Sequence, residues 1–139
     1  MLQWTEQFET GHAEIDAQHR TLIEYINRLE EVSYTTNPDR HEAEFLLELV
    51  DFVEDYTRVH FSHEEGCMAR HKCPAYAENQ AAHRQFLEFF RKFKHHFETG
   101  GCRREVLQEL HDACSAWIQG HILRIDLQLK PYPDQTPPV

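Results

Sequence analysis

The chain has 139 residues, 40% of them hydrophobic and 27% charged, with a formal net charge of −10; that suffices for one domain with a real core and is too short for two ordinary ones. The acidic balance opposes a phosphate backbone and argues against nucleic acid as a direct partner. No apolar run approaches the roughly 20 residues of a membrane span, and the acidic start MLQWTEQFET lacks a signal peptide's basic and apolar regions, so a cytoplasmic protein without membrane insertion is expected.

The first ten residues read as an arm, with Trp4 and Phe8 packing it onto the rest of the chain. Four segments then show apolar positions recurring every three or four residues, the period of a helix with one buried face. The first spans roughly 12–35, and Ile15, His19, Leu22, Ile26 and Leu29 share its face. Asn37-Pro38 reads as N-cap and first helical position of the second. That segment spans roughly 38–70, with Leu49, Val53, Tyr56, His60 and Glu64 on one face. Cys73-Pro74 opens a third over roughly 75–98, carrying Tyr76, Asn79, His83, Phe86, Phe90 and Phe97 on one face, and Thr99-Gly100-Gly101 ends it. The fourth spans roughly 102–129, with Leu107, Leu110, Cys114, Trp117, His121 and Ile125 on one face, and Lys130-Pro131 stops it. Short connections make neighbours antiparallel, so the expected fold is an all-α, up-down-up-down four-helix bundle with an N-terminal arm. The expected organisation is a domain over 1–130 and a Pro-rich tail or linker over 131–139, which contains YPDQTPPV.

The four cysteines, Cys67, Cys73, Cys102 and Cys114, show no C-x-x-C spacing. In a reducing compartment they read as small buried thiols; a redox role for Cys67 and Cys73, which flank a helix end, is the alternative. Eleven histidines against 14 Lys+Arg is an unusual ratio. His41, His63, His95 and His96 read as solvated face residues.

Other histidines lie on the apolar stripes. A lone imidazole there is usually a hydrogen-bonded core residue. Four of them, His19, His60, His83 and His121, together with Glu64 and Asp126, fall on four separate helical segments. Buried together, they need a shared partner to offset desolvation, and a metal centre inside the bundle is the simplest one. His60 and Glu64, one helical turn apart, can face one site. Asp126 lies about 140° round an ideal helix from His121 and enters from the flank. Alone, H-x-x-x-E is a surface pair more often than a ligand pair, and H-x-x-x-x-D is weaker still. Joint placement on inward stripes is what points to metal. Imidazoles plus carboxylates without thiolate suit iron, manganese or zinc, and two carboxylates able to bridge favour a dinuclear site.

These residues bring a family into view. EIDAQHRTLIEYINRL, YTRVHFSHEEGCM, NQAAHRQF and WIQGHILRID, in this order, resemble the four helix motifs of the hemerythrins, most closely the bacterial hemerythrin-like domains. The resemblance implies two non-haem iron ions with a bridging oxo, hydroxo or water ligand. His19 and His60 would hold one iron, His83 and His121 the other, and Glu64 and Asp126 would bridge. The third motif departs from the pattern: Asn79 stands where the family carries a histidine four residues before His83. Asn79 is read as hydrogen-bonding a bound water; weak coordination through its amide oxygen and simple space-filling are the alternatives, with His71 a substitute donor. Leu22, Phe86, Trp117 and Ile118 are expected to wall the pocket.

The resemblance implies binding of O2, or of another small diatomic or anion. With one histidine fewer, both irons would have an open position, which favours reaction with O2 over clean carriage. The leading expectation is an oxygen or redox sensor module, not itself an enzyme, joined to an output domain such as a diguanylate cyclase; homodimerisation is compatible with it. A stand-alone oxygen storage or transport protein is the second reading. An enzyme turning over peroxide or nitric oxide is the third.

Overall fold

In the computed structural model, the structure describes residues 2–33, 40–100 and 103–132. Over them run a single 3₁₀ turn at Glu6–Phe8, helices α1 (Ala13–Ser33), α2 (Arg40–Arg70), α3 (Tyr76–Gly100) and α4 (Arg104–Arg124), and a 3₁₀ turn at Asp126–Leu129. α1 packs on α2 and α4, and α3 on the same two helices, which is the neighbour pattern of an up-down-up-down four-helix bundle. The expected starts at Asn37-Pro38 and at Cys102, and tail residues 133–139, lie outside the described residues. No helix among the described residues is long and apolar enough to cross a membrane.

The arm packs as its aromatic residues suggest. Phe8 is buried and Trp4 half-buried against the main core. Arg20 of α1 lies 4.7 Å above the Trp4 ring, a cation held over a π face. The Leu2 amide donates to Asn27 Oδ1, and Asn27 Nδ2 donates back to the Leu2 carbonyl.

The core is not continuous. One apolar cluster gathers Leu22, Ile26, Val53, Phe61, Phe86, Phe90, Ile118 and Ile122 among others. A second gathers Ile15, Cys67, Met68, Cys73, Ala75, Ile125 and Leu129. Along α1, His19 stands between Ile15 of the second cluster and Leu22 of the first; along α2, Glu64 stands between Phe61 and Cys67. A polar layer therefore divides the bundle into two apolar compartments.

Two sequence expectations need correction. On α2, Thr57 is buried while Tyr56 is only partly so, because the stripe drifts round the helix by one position. The fourth segment is not helical to residue 129. α4 ends at Arg124, Ile125 leaves ideal helix geometry (φ −111°, ψ −56°), and a 3₁₀ turn carries Asp126. Nothing local forces this break, since neither Pro nor Gly lies between residues 121 and 130. Its effect is to turn Asp126 inward, where the side chain is fully buried.

Candidate metal centre

All four helices bring donors to the polar layer. Among the described residues, His19 of α1, His60 and Glu64 of α2, His83 of α3, His121 of α4 and Asp126 of the adjoining turn are all buried. The structure thus brings together all six residues singled out by the sequence. Their arrangement falls into two halves. On one side, His19 Nε2 and His60 Nε2 lie 3.0 and 3.1 Å from Glu64 Oε2, and His19 Nε2 lies 3.1 Å from Asp126 Oδ2. On the other, His83 Nε2 and His121 Nε2 lie 3.1 and 3.7 Å from Glu64 Oε1, and His121 Nε2 lies 3.1 Å from Asp126 Oδ1. Each carboxylate therefore offers one oxygen to each histidine pair. An uninterrupted α-helix would place Asp126 about 140° away from His121; the tighter 3₁₀ turn is what brings both oxygens into the layer.

These contacts are not a satisfied hydrogen-bond network. Both Asp126 oxygens are buried, 3.1 Å from an imidazole nitrogen, and yet accept no hydrogen bond, because the angles fail. His83 Nε2 and His121 Nε2 face each other at 3.1 Å. Lone-pair atoms converging at such distances, without protons well aimed between them, suit a shared cation better than one another.

Outer partners fix which ring nitrogen carries the proton. His60 Nδ1 lies 2.7 Å from Gln18 Oε1, and His83 Nδ1 lies 3.1 Å from a Glu65 carboxylate oxygen. Each acceptor draws the proton to Nδ1 and leaves the Nε2 lone pair facing the centre, as metal-bound histidines require. Phe61 stacks on the His83 ring (3.6 Å between centroids, 3° between planes), and Trp117 stacks on His121 (4.3 Å, 12°). Sequence reasoning missed Gln18, Glu65 and Phe61. Gln18 precedes His19 and Glu65 follows Glu64, so the signal was a polar neighbour beside each predicted donor.

Asn79 is fully buried, and its side chain makes a contact that the sequence reading did not include. Its amide nitrogen donates to Glu64 Oε1 at 2.9 Å and to Met68 Sδ at 3.2 Å. Its Oδ1 is buried with no hydrogen-bond partner among the described residues, which leaves it available for the expected bond to a water. His71 lies elsewhere, beside His12 and Tyr132, and offers no replacement. His63, expected to be solvated, is half-buried and lies 3.2 Å from Gln18 Oε1.

The charges respond to one another. Burial works against a charge on His19, but the carboxylates of Asp126 and Glu64 outweigh it and lift His19 to about 10. Burial likewise opposes a charge on His121, and the same two carboxylates lift it to about 9. Burial pushes His60 down, in spite of Glu64 beside it. Burial alone would raise Glu64, yet His121, His19 and His60 hold it well below the usual carboxylate range. The charged forms of His19, His121 and Glu64 thus favour one another.

Leu22, Phe86, Trp117 and Ile118, the expected wall, line one apolar cavity of about 20 Å³ with Phe61 and Thr57. It shares Phe61 and Trp117 with the rings that stack on His83 and His121. A wider open groove of about 450 Å³ runs past Glu65 and reaches His83 from the α2–α3 side.

A layer of four imidazoles and two shared carboxylates at the middle of a four-helix bundle can be compared with known proteins. The hemerythrin HHE cation binding domain matches residues 10–132. The chain belongs to the hemerythrin family. It is 30% identical over 136 residues to a bacteriohemerythrin of Stenotrophomonas maltophilia, covering 98% of this chain and 82% of that one. It is 26% identical over 127 residues to a myohemerythrin of Sipunculus nudus, covering 91% and 89%. The crystal structure of a wild-type hemerythrin superposes with a TM-score of 0.78 at 23% identity, over 94% of this chain and 96% of that one, which places the fold in the hemerythrin group.

Proposed function

We propose that this hemerythrin-family chain is a non-haem di-iron domain that binds O2 and reports oxygen or redox state. The observation that carries the reading is the division of the donors. Glu64 turns one oxygen to His19 and His60 and the other to His83 and His121, and Asp126 turns one oxygen to His19 and the other to His121, an arrangement suited to two ions side by side. The donor set fits iron: neutral imidazoles and carboxylates without thiolate, with two orphaned Asp126 oxygens that a cation would satisfy.

His19 and His60 would hold one ion and His83 and His121 the other, with Glu64 and Asp126 across both. Two ferrous ions there would supply the electrons that O2 takes up when it binds. Gln18 and Glu65 keep His60 and His83 in the tautomer that presents Nε2. Asn79 occupies one lone pair of Glu64 Oε1 and so limits how far that carboxylate can swing. Leu22, Phe86, Trp117 and Ile118 keep bulk water from the inner face and leave an apolar space suited to an uncharged diatomic. α4 carries His121 and ends at Arg124, and the 3₁₀ turn that follows carries Asp126, so a change at Asp126 would be passed to the residues just after it.

Iron analysis of anaerobically reconstituted protein tests the reading. Two irons per chain are expected, with loss of binding in His19→Ala. One iron per chain, unchanged in that variant, would defeat the dinuclear assignment. A second reading, a stand-alone oxygen-binding protein, is favoured by the relatives: the matched region makes up 96% of a bacteriohemerythrin of Clostridium acetobutylicum. Stopped-flow mixing of the diferrous protein with O2 separates the two. Prompt oxidation that nitrogen flushing does not reverse supports the sensor, and reversible uptake supports the carrier.

A further inference from the structure

A second cluster of donors lies at one end of the bundle, apart from the carboxylate-bridged centre. His12, Cys67 and His71 each offer one ligand atom, and the three atoms all lie within 4.8 Å of one another. His12 Nδ1 is 3.5 Å from Cys67 Sγ. Two ligands of one tetrahedral zinc ion, with Zn–S about 2.3 Å and Zn–N about 2.05 Å, stand about 3.6 Å apart. We propose that His12, Cys67 and His71 form a separate mononuclear site for a thiophilic divalent ion, with zinc the best fit and water as the fourth ligand.

Local structure builds the site before any ion arrives. Cys67 and His71 are one helical turn apart, and the His71 amide donates to the Cys67 carbonyl, so helix register still holds at His71. The helix then closes with Lys72 in the left-handed region (φ +52°), its amide on the Ala69 carbonyl and that of Cys73 on the Met68 carbonyl. This paired closure fixes His71 as the residue that caps α2 after Arg70. His12 is set from the other side. Gly11 turns the chain with φ +85°, the His12 amide donates to Thr10 Oγ1, and the His12 carbonyl accepts the first bond of α1 from Asp16. Asp16 in turn accepts from both the amide and the hydroxyl of the buried Thr10.

The second observation is unmet polarity. His12 is 3% exposed, and among the described residues its side chain's hydrogen-bond partner is the Cys67 sulfur while its Nε2 is buried with none. A thiol is a weak partner for a buried imidazole, and leaving such a group unsatisfied costs stability. Among the described residues, the His71 side chain makes ring contacts with His12 and Tyr132. A cavity of about 90 Å³ opens among these side chains, with Glu14 and His63 at its edge, which is room for an ion and its water. On binding, Cys67 gives its proton to solvent and the thiolate becomes the ligand. One thiolate with two imidazoles is a softer set than the carboxylate-rich centre, so the two sites select different metals.

Anaerobic titration of the full chain with cobalt(II) tests the proposal. The expected result is a near-ultraviolet sulfur-to-cobalt charge-transfer band that saturates at one equivalent and is bleached by zinc. It should vanish in Cys67→Ser and persist in Glu64→Gln, because the other centre offers no thiolate; the result is thus independent of the di-iron reading. No band in the wild type, or a band surviving in Cys67→Ser, would overturn the site. His71→Gln is a partly exposed change that spares the core, and it should weaken cobalt binding by about tenfold or more. Unchanged affinity in that variant would equally overturn it.

Discussion

His83 shows how much of a metal site lies in side chains that never touch the metal. Its Nδ1 is tied to Glu65, which sits on the rim of the open groove, and its ring is pressed flat by Phe61. Removing the acceptor frees the tautomer without opening the core. Glu65→Ala should therefore lower metal affinity about 10–100-fold while leaving the melting temperature of the metal-free protein nearly unchanged. Competition with a chelator of known affinity measures the first and thermal unfolding the second; equal affinity in both proteins would remove Glu65 from the design. Glu65→Gln keeps an acceptor and should lose less. Asp126 was legible in the sequence through its place in the fourth motif of the hemerythrin resemblance, and the other five inward donors because helical period puts them on buried stripes. Leu22, Phe86, Trp117 and Ile118 were legible for the same reason, one turn from a donor or facing it. Gln18, Glu65 and the grip of Asn79 on Glu64 were not. Which acceptor an imidazole finds depends on rotamers and on the neighbouring helix, and no spacing rule encodes that.

At the level of the element, the end of α4 departs from what periodicity implies. Apolar residues continue in helical spacing through Ile125 and Leu129, and both are buried, so the sequence reads as unbroken helix. Burial of Leu129 and the inward turn of Asp126 are met together only by tightening the coil after Arg124, a tertiary demand invisible in local propensity. Among the described residues, the start of α1, the end of α2 and the start of α3 fall within one residue of the expected bounds. The tightened turn is also the natural place for a redox change to be felt. A bridge whose charge surroundings alter between diferrous and diferric states gives the two states different contacts, which any switch requires. Hydrogen exchange across residues 124–132 should differ between reduced and oxidised iron-loaded protein, and more than across residues 104–114 at the far end of the same helix. Matching exchange in both states would favour the oxygen carrier.

For the whole molecule, the buried layer couples stability, protons and metal. His19 and His121 have folded values of about 10 and about 9, above the ordinary 6.5. Their contribution to the stability of the metal-free protein is fully present below 6.5 and is lost as pH rises through about 9 and then about 10. Glu64 is shifted the other way, so its contribution is present above its unfolded value and is lost as pH falls through its depressed folded one. Metal-free protein should thus be most stable in the mildly acidic range and soften towards alkaline pH. Filling the centre must expel the two imidazolium protons, so iron affinity should climb with pH until about 9 to 10. Calorimetry in buffers of different ionisation enthalpy should count about two protons released per chain near neutral pH; a count of zero would mean that the metal-free histidines are already neutral.

The division of the core by a polar layer also sets an order of events in time. His19 lies near the start of the chain and Asp126 near its end, so the centre cannot exist until the first and last helices have docked. Closing so long a span is an entropic cost met late in folding. The metal therefore cannot nucleate this protein. The apolar clusters on either side assemble first around a layer whose histidines and carboxylates hold one another's charge, which makes the metal-free bundle a necessary way-station rather than a damaged form. Maturation is then capture by a finished scaffold, and its speed is governed by local breathing of that scaffold rather than by the folding of the chain.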